Sequence, residues 1–329
     1  MSKALISIIP QSEEKSQLMP EDKDFLKVPH NEATWEIVFN LPLIYQKGIK
    51  GEKKITCRLK HNGELSLIAI NPETGEEVPL DDLIEKSRSQ SIQHLFNFLL
   101  AKAYETQSFD FTFDVNEYFE FRKLTRQQKN INRLKDDLTV LAHTMFSLFA
   151  TVNGKKEKIS LGNCLAFEMF YKNEEVKKKQ IGKVRVVLMS WAEKLIRNNQ
   201  FTLIPKTVFE GETAKAGTKG NDWETPIKYK IAQVIRNNRK NKKTVITLKV
   251  KSLLNILPAP DLKKQGVKRY TKKLLNALER AGEVFKEYQI TLQKTNPASI
   301  EEFLNNEVKI ITPLDVLRTE RDKSTKGIR

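Results

Sequence analysis

Hydrophobic and polar positions change period along this chain, and the changes divide it. Residues 1–30 show no sustained period and read as an arm. Thr34–Leu41, Ile55–Lys60 and Leu65–Ile70 are short apolar or alternating runs that predict strands. The last two are joined by His61-Asn62-Gly63-Glu64, whose Asn-Gly pair suits a tight hairpin turn. From Ser91 the period becomes helical: Ile92, Phe96, Leu99, Leu100 and Ala103 share one face of Ser91–Tyr104. Phe109–Phe113 alternates as a strand does. Val115–Phe121 reads as a short helix capped by Asp114. Ile131, Leu134, Leu138, Leu141 and Met145 then mark a long helix over Gln127–Phe149. Strands are expected at Lys158–Leu161, Cys164–Tyr171 and Lys183–Met189, with a helix over Ser190–Asn198.

Residues 206–224 lack a period and hold Gly211, Gly217 and Gly220, which predicts a linker. A second series follows. A helix begins at Thr225-Pro226 and runs to about Asn238, and Thr244–Val250 is a strand. Lys251–Ile256 is a short helix, and Pro258-Ala259-Pro260 breaks the chain. Gly266 leads into a long helix, Lys268–Ala281, which Gly282 terminates. Val284–Leu292 and Val308–Ile311 form a hairpin around a loop containing Asn296-Pro297.

The two series have one order: helix, strand, short helix, long helix, hairpin. Thr112-Phe113-Asp114-Val115 matches Thr247-Leu248-Lys249-Val250 at an offset of 135, and Phe119 matches Leu254. Leu134, Leu138 and Leu141 match Leu274, Leu278 and Ala281 at an offset of 140, so the second copy has five extra residues between its two later helices. That order is the plan of a winged helix-turn-helix, in which a short helix braces a long one that enters the DNA major groove beside a hairpin wing. The expected fold class is α+β: tandem winged helix-turn-helix domains behind a small β-rich N-terminal module. The expected organisation is an arm and module over 1–88, a first winged unit over 89–205, a linker over 206–224, a second unit over 225–313 and a charged tail over 314–329.

Charge sharpens this. The 329 residues hold 57 Lys+Arg and 41 Asp+Glu, a net of +16. Residues 226–275 hold fifteen basic residues and one acid, Asp261, a net of +14, while 1–90 are net −3 and 109–150 are neutral. Aliphatic residues thread the basic stretch, so it predicts a folded anion-binding surface rather than a tail. The candidate DNA contacts in the second copy are Lys263, Lys264, Gln265, Lys268, Arg269, Lys272, Lys273 and Asn276. In the first they are Gln127, Gln128, Lys129, Asn130, Asn132 and Arg133, with Lys177, Lys178 and Lys179 in its wing loop. Such residues on the polar face of an amphipathic helix reach base edges and phosphates. The second copy, carrying the charge, is expected to supply most of the affinity.

Other chemistry finds little footing. No apolar stretch approaches the ~20 residues of a membrane span. Ala4–Pro10 is too short for a signal peptide and is followed by Glu13, Glu14 and Lys15. Two distant cysteines, Cys57 and Cys164, argue against a disulfide framework or zinc cluster and for a reducing cytoplasm. His30, His61, His94 and His143 are isolated, and no HExxH, GxSxG or P-loop pattern occurs. No cofactor, metal or catalytic residue is expected. Asp110, Asp114, Glu117 and Glu120 read as solvated or capping acids. Trp35, Trp191 and Trp223 read as core or seam residues, Cys57 as buried beside Ile55 and Leu59, and His143 as a packing residue.

Two winged copies, the second more basic, over Phe109–Leu141 and Thr244–Ala281 with their hairpins, resemble the Rep initiators of theta-replicating plasmids. The resemblance spans about residues 90–312. It implies binding to repeated sites on double-stranded DNA at an origin, local melting, and recruitment of host initiator and helicase proteins. It also implies repression of the chain's own promoter as a homodimer. Two other readings stay open: a winged-helix transcriptional regulator, and a basic RNA-associated or phage assembly protein, for which Tyr229 and Tyr270 are the only aromatics within 226–275.

Overall fold

The computed structural model describes residues 24–312 apart from 31, 60–62, 72, 153–154, 173–179, 189–200, 216–220, 242 and 259. It is a mixed α+β fold. The N-terminal elements are β1 (Phe25–Pro29), α1 (Glu32–Asn40), a 3-10 turn (Leu41–Lys47), β2 (Lys54–Arg58), β3 (Gly63–Ile70), β4 (Glu77–Val78) and α2 (Asp81–Ser87). The first repeated series is α3 (Ser91–Thr106), β5 (Asp110–Asp114), α4 (Val115–Phe121), α5 (Gln128–His143), β6 (Thr144–Val152), β7 (Lys155–Asn163), β8 (Leu165–Lys172) and β9 (Gln180–Leu188), followed by β10 (Phe201–Pro205). The second is α6 (Glu224–Asn241), β11 (Val245–Lys249), α7 (Val250–Leu253), α8 (Leu262–Gln265), α9 (Val267–Val284), β12 (Gln289–Leu292), α10 (Ile300–Asn305) and β13 (Glu307–Ile311).

Each series builds an antiparallel three-stranded sheet with the same strand order, β5-β9-β8 in the first and β11-β13-β12 in the second. The sequence echoes fall on equivalent places. Val115 and Val250 each open the short helix and are buried. Leu134, Leu138 and Leu141 line the inner face of α5, as Leu274, Leu278 and Ala281 do on α9. Asp114 caps α4, accepting from Asn116 N at 2.8 Å. Each copy also carries an insertion. The second adds α8, which accounts for its extra residues, and α10 within its hairpin loop. The first adds the β6–β7 hairpin.

That hairpin corrects one sequence expectation. The helix predicted over Gln127–Phe149 stops at His143, and Thr144 begins a strand that pairs with β3 (Leu65↔Phe146). The Thr144 hydroxyl donates to Val140 O at 2.7 Å as the helix ends. The run Thr144–Val152, rich in apolar and β-branched residues, gains a partner strand that local periodicity does not reveal. The sheet β2-β3-β6-β7 is therefore shared between the N-terminal elements and the first series, and the strand expected at Lys158–Leu161 belongs to β7, in a different sheet from the β8–β9 hairpin.

Other expectations shift as well. Thr34–Leu41, read as a strand, lies in α1 and the following turn, buried on nearly every side, with only Glu36 and Asn40, four residues apart, less buried. Part of the expected arm, Phe25–Pro29, pairs with β10. Gly282 does not terminate α9, which continues to Val284, so the strand after it begins only at Gln289. The expected helix Ser190–Asn198, Trp191, the turn at His61-Asn62 and the tail from 314 lie outside the described residues.

Most of the expected linker is held in place. Val208 and Phe209 are buried, and the Arg122 guanidinium, 1% exposed, donates to Phe209 O, to Gly211 O at 2.6 Å and to the Tyr118 hydroxyl at 3.0 Å. The two series also share core. His94 Nδ1 on α3 lies 2.8 Å from the Tyr229 hydroxyl on α6, and Trp35 meets the Tyr229 ring edge-on at 6.4 Å. His30 stacks on Trp35 at 4.0 Å and bonds Asn97 Oδ1 at 2.7 Å. Burial pushes the His30 imidazole down to about 3 and the His94 imidazole well below its usual range, so both are neutral parts of the packing at pH 7. Cys57 and Cys164 are buried free thiols, and burial pushes Cys164 up to about 12.

Candidate nucleic-acid interface

The second long helix, α9, is strongly two-sided. Tyr270, Thr271, Leu274, Ala277, Leu278 and Ala281 face the core at spacings of one, three and four. Lys268, Arg269, Lys272 and Asn276 are exposed on the other side. Among the described residues no carboxylate lies within ion-pair distance of Lys268, Arg269 or Lys272. Gly266, at φ 77, sets the entry into the helix in a conformation that suits glycine. Lys263 is exposed in α8 before that entry. The side chains of Lys264 and Gln265 lie outside the described residues.

Lys273 does something else. Its ammonium forms an ion pair with Asp222, which is 1% exposed, and lies 5.2 Å from the centre of the Trp223 ring. Trp223 stacks on Tyr270 at 5.5 Å and donates to Pro258 O at 3.3 Å. Lys273 thus ties α9 to the start of α6, and its charge is spent inside the fold.

The first long helix is more occupied. Asn130, 4% exposed, donates to Thr125 O at 2.8 Å and fastens the first turn of α5. Lys129 pairs with Glu212 at 2.5 Å, and Arg133 reaches Thr213 O at 3.4 Å. Lys123, just before the helix, pairs with Glu210 at 2.8 Å. Gln127, Gln128 and Asn132 are exposed, the last two bonded to each other at 2.8 Å. Lys177, Lys178 and Lys179 lie outside the described residues. The two helices are equivalent in topology but not in surface: α9 offers cations to solvent, whereas those at the start of α5 face an acidic connector.

Sequence reasoning passed over Lys249 and Lys251, which are exposed at the β11–α7 junction. The local charge count contained them, but they stand off the helical stripe that guided the choice. It also passed over Lys135, whose ammonium lies 5.8 Å from the centre of the Tyr171 ring at the end of β8.

Among the described residues no group of three or more His, Cys, Asp or Glu side chains could hold a metal ion, and no helix is long and apolar enough to cross a membrane. Neither a protein-family model nor a curated protein matches the chain. Solved structures do resemble it. Domains 2 and 3 of RctB match in two crystal structures. One has a TM-score of 0.45 at 11% identity, covering 84% of this chain and 98% of that one. The other has a TM-score of 0.45 at 9% identity, covering 84% and 99%. The Pi initiator protein in complex with iteron DNA matches with a TM-score of 0.42 at 14% identity, covering 80% and 99%.

Proposed function

We propose that the chain is a sequence-specific double-stranded DNA-binding protein built on two winged helix-turn-helix units, and that it acts as a replication initiator at repeated origin sites. One observation carries the DNA-binding part: α9 stands on an apolar face and turns Lys268, Arg269 and Lys272 to solvent without acidic partners among the described residues, inside a stretch of net +14. Cations held in that way release counterions when they meet phosphates, and the neighbouring Asn276 is of a type that reads adenine edges. The initiator role rests on two units of one topology in tandem, the architecture that resembles plasmid Rep proteins. In this reading the protein acts through binding, with no chemical step of its own. Melting beside the sites, contacts with host initiator and helicase proteins, and a promoter-repressing homodimer belong to the same proposal.

The test is footprinting of the tagged protein across its own replicon, with fluorescence anisotropy on the fragments found. A tight array of direct repeats beside an A+T-rich tract is the expected result, with a log affinity that falls by ~0.9 per neutralised phosphate per decade of salt. Scattered promoter sites would replace initiation with transcriptional regulation, and crosslinking to RNA alone would overturn DNA binding.

A further inference from the structure

The near-neutral first unit has little to gain from phosphates, yet its hairpin carries two large rings in the open. Phe170 and Tyr171 are each 44% exposed, near the end of β8. We propose that this pair is a base-stacking contact, directed at the face of a DNA base that is unpaired or partly unstacked. The inference rests on the DNA-binding reading above and assigns the first unit a different kind of contact within it.

Four features lead to this occupant. First, β8 is an edge strand of the sheet β5-β9-β8, so nothing in that sheet covers its outer side. Exposed aromatics on a sheet edge invite unwanted pairing, and folds that need no such contact blunt the edge. Second, the rings flank the strand. Phe170 is level with Lys183 across the hairpin, and Tyr171 lies on the helix side under Lys135. A cation beside each ring suits a ligand that is aromatic and anionic together, which a nucleotide is.

Third, the polar stripe of α5 leads to the rings. Gln128, Asn132 and Lys135 follow at helical spacings of four and three on one face, and the last touches Tyr171. Tyr171 therefore continues the surface of the helix that occupies the recognition position of this unit, and Phe170 stands beside it on the other side of the strand. Fourth, the hairpin is braced at this point. The register slips between Phe170↔Lys183 and Tyr171↔Ile181, a bulge that adds local twist. Arg126 holds the bulged strand to α4, donating to Ile181 O at 2.5 Å and to Asn116 Oδ1 at 2.6 Å. Rings on a braced strand lose little freedom when a base stacks on them. Apolar wedges of this kind unstack base steps in other DNA-bending proteins.

The test uses the full chain and two probes: a short A+T-rich duplex, and the same duplex with a central unpaired stretch. Binding by the wild type, Phe170→Ala/Tyr171→Ala, Phe170→Leu/Tyr171→Leu and Lys268→Ala/Arg269→Ala/Lys272→Ala is followed by anisotropy over a salt series. Both aromatic variants should lose at least about fivefold in affinity, the low end for one base stacked on a ring, with an unchanged salt slope. A loss confined to the unpaired probe identifies unpaired bases as the partner, and a loss on both identifies insertion into a paired step. Either supports the proposal. Wild-type affinity for both probes in the aromatic variants overturns it. So does a shift in sedimentation without a shift in DNA affinity, which would make the patch a contact between copies of the chain. If the wild type shows no salt-dependent binding, the DNA-binding reading itself fails. If the cationic variant alone weakens binding, that reading stands and the stacking contact falls.

Discussion

Lys272 and Lys273 are neighbours in sequence, identical in chemistry and one helical step apart, yet they should respond to alanine in opposite ways. Lys272 is exposed with no carboxylate partner among the described residues. Removing it should leave the fold intact and delete one phosphate contact, lowering the slope of log affinity against log salt by ~0.9. Over a fourfold rise in salt the variant would then lose about threefold less affinity than the wild type. Lys273 has its charge matched by Asp222, which is 1% exposed, and lies over Trp223. Deleting it takes the ammonium from a buried carboxylate, a loss of up to ~3–5 kcal/mol, together with a cation–π contact worth ~0.5–2 kcal/mol.

The assay pairs urea unfolding with the anisotropy salt series for each single variant. Lys272→Ala should change the slope and leave the urea midpoint within error, whereas Lys273→Ala should lower the midpoint and leave the slope alone. Asp222→Asn/Lys273→Met supplies the control, because replacing both ions by neutral groups of similar size should recover most of the lost stability. A Lys273→Ala variant of normal stability and reduced salt slope would refute the reasoning. It would mean that Lys273 leaves Asp222 for the phosphate backbone.

Glu210→Gln/Glu212→Gln releases Lys123 and Lys129 from the connector; exposed pairs contribute only ~0–1 kcal/mol, so unfolding should barely move while DNA affinity and its salt slope rise. Arg122→Lys should lower the urea midpoint by the equivalent of ~3 kcal/mol, since an ammonium cannot reproduce the guanidinium's bonds to Phe209 O, Gly211 O and Tyr118. Burial raises Asp137 to about 7, with Ser91 donating to it; the native state holds that proton where the unfolded chain has released it, so Asp137 contributes stability that is lost as pH rises from about 4 to about 7. His30, lowered to about 3, works in the opposite sense and contributes stability that is lost as pH falls from about 6.5 towards 3. Asp137→Asn should therefore steepen the loss of stability on acidification below pH 6.5, read from urea midpoints across that range; an unchanged profile would show that Asp137 is ionised in the fold.

What the residues reveal in advance is whatever their near neighbours decide. Asp114 two residues before Asn116, the apolar stripe of α5, and Gly266 ahead of α9 are local arrangements, and each is in place. The doubled order of elements was legible for the same reason, because it is a succession of local periods. Errors arose where a distant partner decides. Thr34–Leu41 has the β-branched and aromatic content of a strand, yet it forms a helix that is buried on nearly every side and packs on α3. Thr144–Val152 becomes a strand because β3 offers it an edge from eighty residues upstream. The candidate site divides along the same line. That Lys268, Arg269 and Lys272 face outward follows from their place opposite Leu274 and Leu278, a matter of helical spacing. That Lys273, Lys129 and Arg133 are engaged follows from Asp222, Glu212 and Thr213, none of which lies within a helical turn of its partner. A count of charge along the chain locates a basic unit but overstates its free charge, since it cannot subtract pairs formed in three dimensions. Of the cations left after that subtraction, Lys268, Arg269 and Lys272 lie on one face of one helix, the arrangement that the proposed duplex contact calls for, while Lys249 and Lys251 stand off it.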